Sequence, residues 1–178
     1  YQSFDELDSQ FGHLGLKAER YSVDTGLTPV AEPPQLEFSG FDRYKRPLWL
    51  DYDAAKAWRK MKQACAKDGI FIDAISGFRS FQYQMGIFQR KLSRGMEVSE
   101  ILMVNAAPGF SEHHSGRAID IGTRDEPPAE ESFEHTPAFH WLTEQAGQFG
   151  FRMSFPRNNP HGIGYEPWHW YWQGKDQS

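Results

Sequence analysis

The 178-residue sequence predicts an α+β fold in which helices pack on a small, mostly antiparallel sheet. Three observations support this class. Stretches starting at Asp53 and Phe81 carry apolar residues at helical spacing and stop at a glycine. Short β-rich runs, IFIDAISGFRS, RAIDIG, GFRMSFP and YEPWHWYW, fall between and after them. Hydrophobic residues make up 39% of the chain, among them 14 Phe, seven Tyr and six Trp, which is enough bulky surface for one packed core and too much for global disorder.

Taken in order, residues 1–45 alternate small apolar patches with turn formers (DTGLTP, AEPPQ, FSGFD), the pattern of an arm with little regular structure. Residues 46–178 hold the remaining elements. AAKAWRKMKQACAKDG has apolar positions at 54, 57, 58, 61 and 65 behind an aspartate N-cap, so a helix is expected with Cys65 on its buried side. After the strand-like IFIDAI, the segment FQYQMGIFQRKLSRG reads as a second helix closed by Gly95, and EVSEILMVN as a third, short one. Pro108 and Gly109 open a loop that leads into RAIDIG, where Ile119 and Ile121 alternate with Ala118 and Asp120, placing Asp120 on the polar face of a strand. RDEPPAEESFEHTP is acidic and proline-bearing, as in a solvated loop. AFHWLTEQAGQFG is helical again. GFRMSFP and YEPWHWYW close the chain as strands, with Trp168, Trp170 and Trp172 expected on a core-facing side.

Charge and composition remove several functions. Nineteen basic and 24 acidic residues give a net charge of -5 with no long Lys/Arg block, so nucleic acid is not the expected partner. No apolar run approaches the roughly 20 residues of a membrane span. The single cysteine has no internal disulfide partner. The sequence starts at Tyr1 without a leader pattern, as expected of a processed or trimmed chain, so localisation must be read from chemistry.

A catalytic metal site usually gathers three protein ligands and leaves a fourth position for water. SEHHSGRAID offers His113 and Asp120, with Ser115 and Gly116 between them to let the chain fold back. YEPWHWYW offers His169, three residues after Glu166. In a regular strand positions three apart face opposite sides, so these two share a pocket only if a bend or bulge begins the strand. A carboxylate among aromatic residues is costly to bury unpaired, and a nearby cation would offset that cost for both Asp120 and Glu166. His114 would point away from His113 in an extended chain, and His13, His135, His140 and His161 sit in polar settings typical of solvated histidine.

SEHHSGRAID fits the S-x-H-x-x-G-x-A-x-D signature, and EPWHW the E-x-x-H signature, of the VanY-type zinc D-alanyl-D-alanine carboxypeptidases of peptidase family M15. SGFRSFQYQ is similar to that family's SGYRS-x-x-x-Q segment, with Phe78 in place of the usual Tyr, and His114 stands where Gln is common. The resemblance runs from about Asp53 to Trp172. It implies the fold shared with hedgehog signalling domains and makes residues 46–178 a zinc carboxypeptidase domain. It further implies that His113, Asp120 and His169 hold Zn2+, that Glu166 is the general base, and that Arg79 and Gln84 bind substrate. Arg79 would serve either the terminal carboxylate or the oxyanion of the tetrahedral intermediate. Ser111, two before the first ligand, would contact the peptide or cap the loop.

The implied reaction removes the terminal D-alanine from a peptidoglycan stem peptide in the bacterial cell envelope, periplasmic or extracellular. An L,D-carboxypeptidase acting on tetrapeptide stems needs the same machinery. A phage-type endopeptidase on L-alanyl-D-glutamate linkages is a poorer match, because Arg79 followed by Gln84 suits a free carboxyl end. A noncatalytic, zinc-containing wall-binding module is the alternative from another class. Glu166 speaks against it, since a structural site needs no base and closes its fourth position with a protein ligand.

Overall fold

The computed structural model describes residues 2–174. Helix α1 (Phe4–Phe11) and helix α2 (Ala18–Thr25) precede a two-stranded hairpin of β1 (Glu37–Phe41) and β2 (Pro47–Leu50). Helix α3 (Tyr52–Lys67), strand β3 (Asp73–Ser76), helix α4 (Phe81–Ser93) and helix α5 (Val98–Leu102) follow. Strand β4 (Ala118–Gly122), helix α6 (Pro137–Gln145), strand β5 (Phe151–Met153) and strand β6 (His169–Trp172) complete the order. The larger sheet runs β3-β4-β6-β5 with every neighbouring pair antiparallel. The α+β class is therefore as the sequence predicts.

Local chemistry sets the element ends. The Asp51 carboxylate accepts from the N–H groups of Asp53 and Ala54, so α3 starts at Tyr52, two residues before the start that its apolar pattern suggests. Ser80 caps α4 by accepting from the Tyr83 N–H, and Thr136 caps α6 with Pro137 at the first turn. One face of α3, comprising Ala55, Trp58, Met61 and Cys65, is buried in the core shared with the sheet. Ile119 and Ile121 of β4 and Trp170 of β6 lie in the same core, each side chain contributing on the order of 2 kcal/mol by burial. Trp168 and Trp172 pack against that core half-buried. Cys65 is fully buried, which pushes its thiol up to about 11 and keeps it unreactive.

The sheet register aims the polar residues. Ile119 pairs with Trp170 and Asp120 with His169, so alternation that turns the apolar pair into the core turns the aspartate and histidine together onto the opposite face.

Two expectations need correction. The first 45 residues are not an arm with little regular structure: α1 carries a capping box between Ser3 and Glu6, α2 follows, and β1 is half of the hairpin. These short helices hold their shape by docking. Leu7, Phe11, Leu14, Ala18 and Tyr21 form a second core with Met85, Phe88, Ile101 and Phe110, bracing α4 from behind. The acidic stretch after Arg124 is exposed over most of its length but not wholly a solvated linker, because Phe133 is fully buried in the main core.

Candidate metal centre

A short 3-10 turn, Glu112–Ser115, carries the first histidine. Ser111 caps it by accepting from the His113 N–H, and Gly116 ends it at φ 73°. A Cβ on Gly116 would lie 2.7 Å from the Asp51 backbone nitrogen, whose N–H donates to the Gly116 carbonyl, so only glycine lets the turn lie against the β2–α3 junction.

His113 Nδ1 lies 2.7 Å from the Gly77 carbonyl, which can only accept, so Nδ1 carries the proton and Nε2 presents a lone pair. That Nε2 is 3.2 Å from Asp120 Oδ1. Across the β4–β6 ladder, His169 Nδ1 is 3.3 Å from the same oxygen. One ligand atom from each of His113, Asp120 and His169 lies within 4.8 Å of the others, and all three residues are buried. Two imidazoles and a carboxylate in this array fit a divalent cation.

Glu166 reaches the same pocket through a tight turn and not a bulge. The His169 N–H donates to the Glu166 carbonyl at 3.2 Å across Pro167 and Trp168, which folds the carboxylate back to 3.7 Å from His169 Nδ1. The bend required by the three-residue spacing is thus present.

Burial pushes the Glu166 carboxyl up to about 7. Burial acts on Asp120 in the same direction, but the two histidine rings and the Arg79 charge hold it well below the usual carboxylate range. Burial, with help from the Arg79 charge, pushes His113 down to about 4. Burial also opposes charge on His169, yet hydrogen bonds to Asp120 and Glu112 raise it to about 10. The carboxylates therefore favour positive charge at this point in the cleft.

Arg79 lines the cleft with its side chain and is anchored by its backbone: its N–H donates to His113 O, and its carbonyl accepts from His114 Nδ1 at 2.7 Å. Its Nε is buried without a hydrogen-bond partner. Ser111 also lines the cleft while capping the turn. Gln84, expected from the resemblance to bind substrate, is not among the residues that line the cleft. It is buried behind the wall, where its Nε2 donates to Ala106 O at 2.9 Å and supports a segment that does line the cleft. His114 lies in the 3-10 turn and not in extended chain; it joins Arg79 to Gly109, whose N–H donates to His114 Nε2 at 3.0 Å.

Sequence reasoning missed three charged residues. Glu112 Oε1 accepts from His169 Nε2 at 3.0 Å, which fixes the ring so that Nδ1 faces the other ligands. Arg152 Nη2 stands 3.6 Å from the other Glu112 oxygen. Lys91, from α4, also lines the cleft. The cleft holds about 290 Å³, and its remaining wall comes from Met103–Ala106, Phe155, Ile163–Tyr165 and Trp168, with Ala129 of the acidic loop.

The VanY family, described as D-alanyl-D-alanine carboxypeptidase, matches residues 47–175. The Bacillus subtilis protein YodJ is 34% identical over 166 residues, covering 91% of this chain and 60% of its own length. VanXYC of Enterococcus gallinarum, a bifunctional D-Ala-D-Ala dipeptidase and D-Ala-D-Ala carboxypeptidase, is 30% identical over 155 residues, covering 83% of this chain and 78% of its own. Among solved structures, the LD-carboxypeptidase LdcB superposes with a TM-score of 0.73 at 31% identity, covering 82% of this chain and 71% of that one.

Proposed function

The chain belongs to the VanY family of D-alanyl-D-alanine carboxypeptidases, and from that membership we propose that it is a zinc enzyme of the bacterial cell envelope that removes the terminal D-alanine from peptidoglycan stem peptides. The observation that carries this reading is the meeting of His113, Asp120 and His169 beside a carboxylate, Glu166, that is not needed to complete the ligand set.

When bound, zinc supplies Lewis acidity, polarising the scissile carbonyl and making water easier to deprotonate. Glu166 takes a proton from the attacking water as its oxygen bonds to the carbonyl carbon. As the C–N bond breaks, Glu166 returns that proton to the departing amine. Arg79 supplies a fixed positive charge, and its buried, unpartnered Nε is a donor available to an anionic group of the substrate. Glu112 holds His169 in its ligating orientation, and Gly77 does the same for His113.

Removal of D-alanine from a pentapeptide, a D,D cleavage, is the first reading. The L,D cleavage of a tetrapeptide is favoured by the likeness to LdcB. Chromatography and mass analysis of matched pentapeptide and tetrapeptide digests separate them. Loss of one D-alanine from either peptide, abolished by chelator and restored by zinc, is expected; cleavage that persists in excess chelator would contradict the metal-dependent reading.

A further inference from the structure

We propose that Lys91 joins Arg79 in holding the free carboxylate of the substrate's last residue, so that Lys91 is a determinant of cleavage at a free chain end. This rests on the carboxypeptidase reading above.

Gln84, Phe88 and Lys91 are spaced four and then three residues apart, which puts them on one helix face. Gln84 and Phe88 are buried there, so a lysine continuing that face gives up part of its hydration. Lys91 is half-buried and lines the same cleft as Arg79, Glu166 and the three metal-ligand candidates. Among the described residues, neither Lys91 nor Arg79 forms an ion pair, although the protein has several elsewhere. Arg79 also keeps a buried Nε with no partner.

The charges around Lys91 sharpen the point. Arg79 approaches from the loop before α4 and Arg94 from the helix end, both repelling it, and Glu166 across the cleft is the only attractive group among those acting on it. Glu166 lies beyond ion-pair reach of Lys91 and faces the His169 ring. Two cations without ion-pair partners among the described residues, both lining a cleft of about 290 Å³, repel one another, and an anion between them relieves that repulsion. A carboxylate matches the pair: the arginine fork can grip both oxygens, and the ammonium can add a point charge from the side. In a stem peptide cut at its last bond, the leaving residue carries such a group. A chain that continues past the cut, or ends in an amide, does not.

The test uses zinc-loaded full chain and two stem peptides that differ only in a C-terminal carboxylate or carboxamide. Wild-type protein is expected to prefer the free acid. Lys91→Met, which keeps length and packing, should raise KM for the acid by about tenfold or more, the loss expected for a charge-assisted contact, with kcat changed far less. It should reduce the acid-over-amide preference by a similar factor, while Lys91→Arg retains it. Lys91→Gln provides the same measurement on a polar background should the methionine variant fold poorly. Unchanged KM and unchanged preference in these variants would overturn the assignment, as would a wild-type protein indifferent to amidation. A wild-type protein that cleaves neither peptide would instead overturn the carboxypeptidase reading itself.

Discussion

Glu166→Gln in metal-free protein is expected to make the fold more stable. Burial carries the Glu166 carboxyl from an ordinary 4.5 to about 7, so the native state resists its ionisation. Below about pH 4.5 the group is protonated in both folded and unfolded chains and costs nothing. As pH rises toward 7 the unfolded chain ionises first, and native stability falls; above 7 the full difference persists. That difference corresponds to about 3 kcal/mol. Glutamine keeps the shape of the neutral acid and has no charge to bury. At pH 8 the variant should therefore melt roughly 5–10 °C higher than the parent, with the gap closing toward pH 4. Calorimetry or circular dichroism of both proteins in chelator, across pH 4 to 8, measures it. Equal melting temperatures at pH 8, or a gap that does not depend on pH, would refute the claim that Glu166 is a strained carboxylate held ready as a base.

Other outcomes follow from the same geometry. Glu112→Gln should weaken zinc binding by about 10–100-fold, read by competition with a chromophoric chelator, because the His169 ring loses its anionic anchor. Unaltered affinity would show that the ring is held by its packing alone. Gly116→Ala should cost at least about 1–2 kcal/mol in urea unfolding, since its φ of 73° and the 2.7 Å approach to Asp51 nitrogen both exclude a Cβ. A neutral result would mean the turn can shift without loss.

Much of the centre can be read from local sequence because local rules place it. Strand alternation in RAIDIG separates Asp120 from Ile119 and Ile121, and the structure keeps that separation. The three-residue spacing of Glu166 and His169 demands a bend, and a turn supplies it. What escapes is what depends on distant chain. Glu112 meets His169 across 57 residues, and nothing beside Glu112 in sequence announces that partner. Gln84 belongs to a recognisable motif, yet whether its amide faces the cleft or the wall behind it depends on where Ala106 lies. The two N-terminal helices are each eight residues long, too short to be stable alone, so only their docking beneath α4 makes them helical. Lys91 carries a faint signal, a cation continuing a buried helix face, which becomes informative once the cleft is seen.

Titration of metal-free protein with zinc, alongside Asp120→Ala, tests the metal centre most directly. The expected result is one ion bound per chain in the parent, with affinity collapsing when Asp120 is removed from between the two histidines. Zinc binding that survives Asp120→Ala undiminished, or a parent chain that takes up none, would contradict the account.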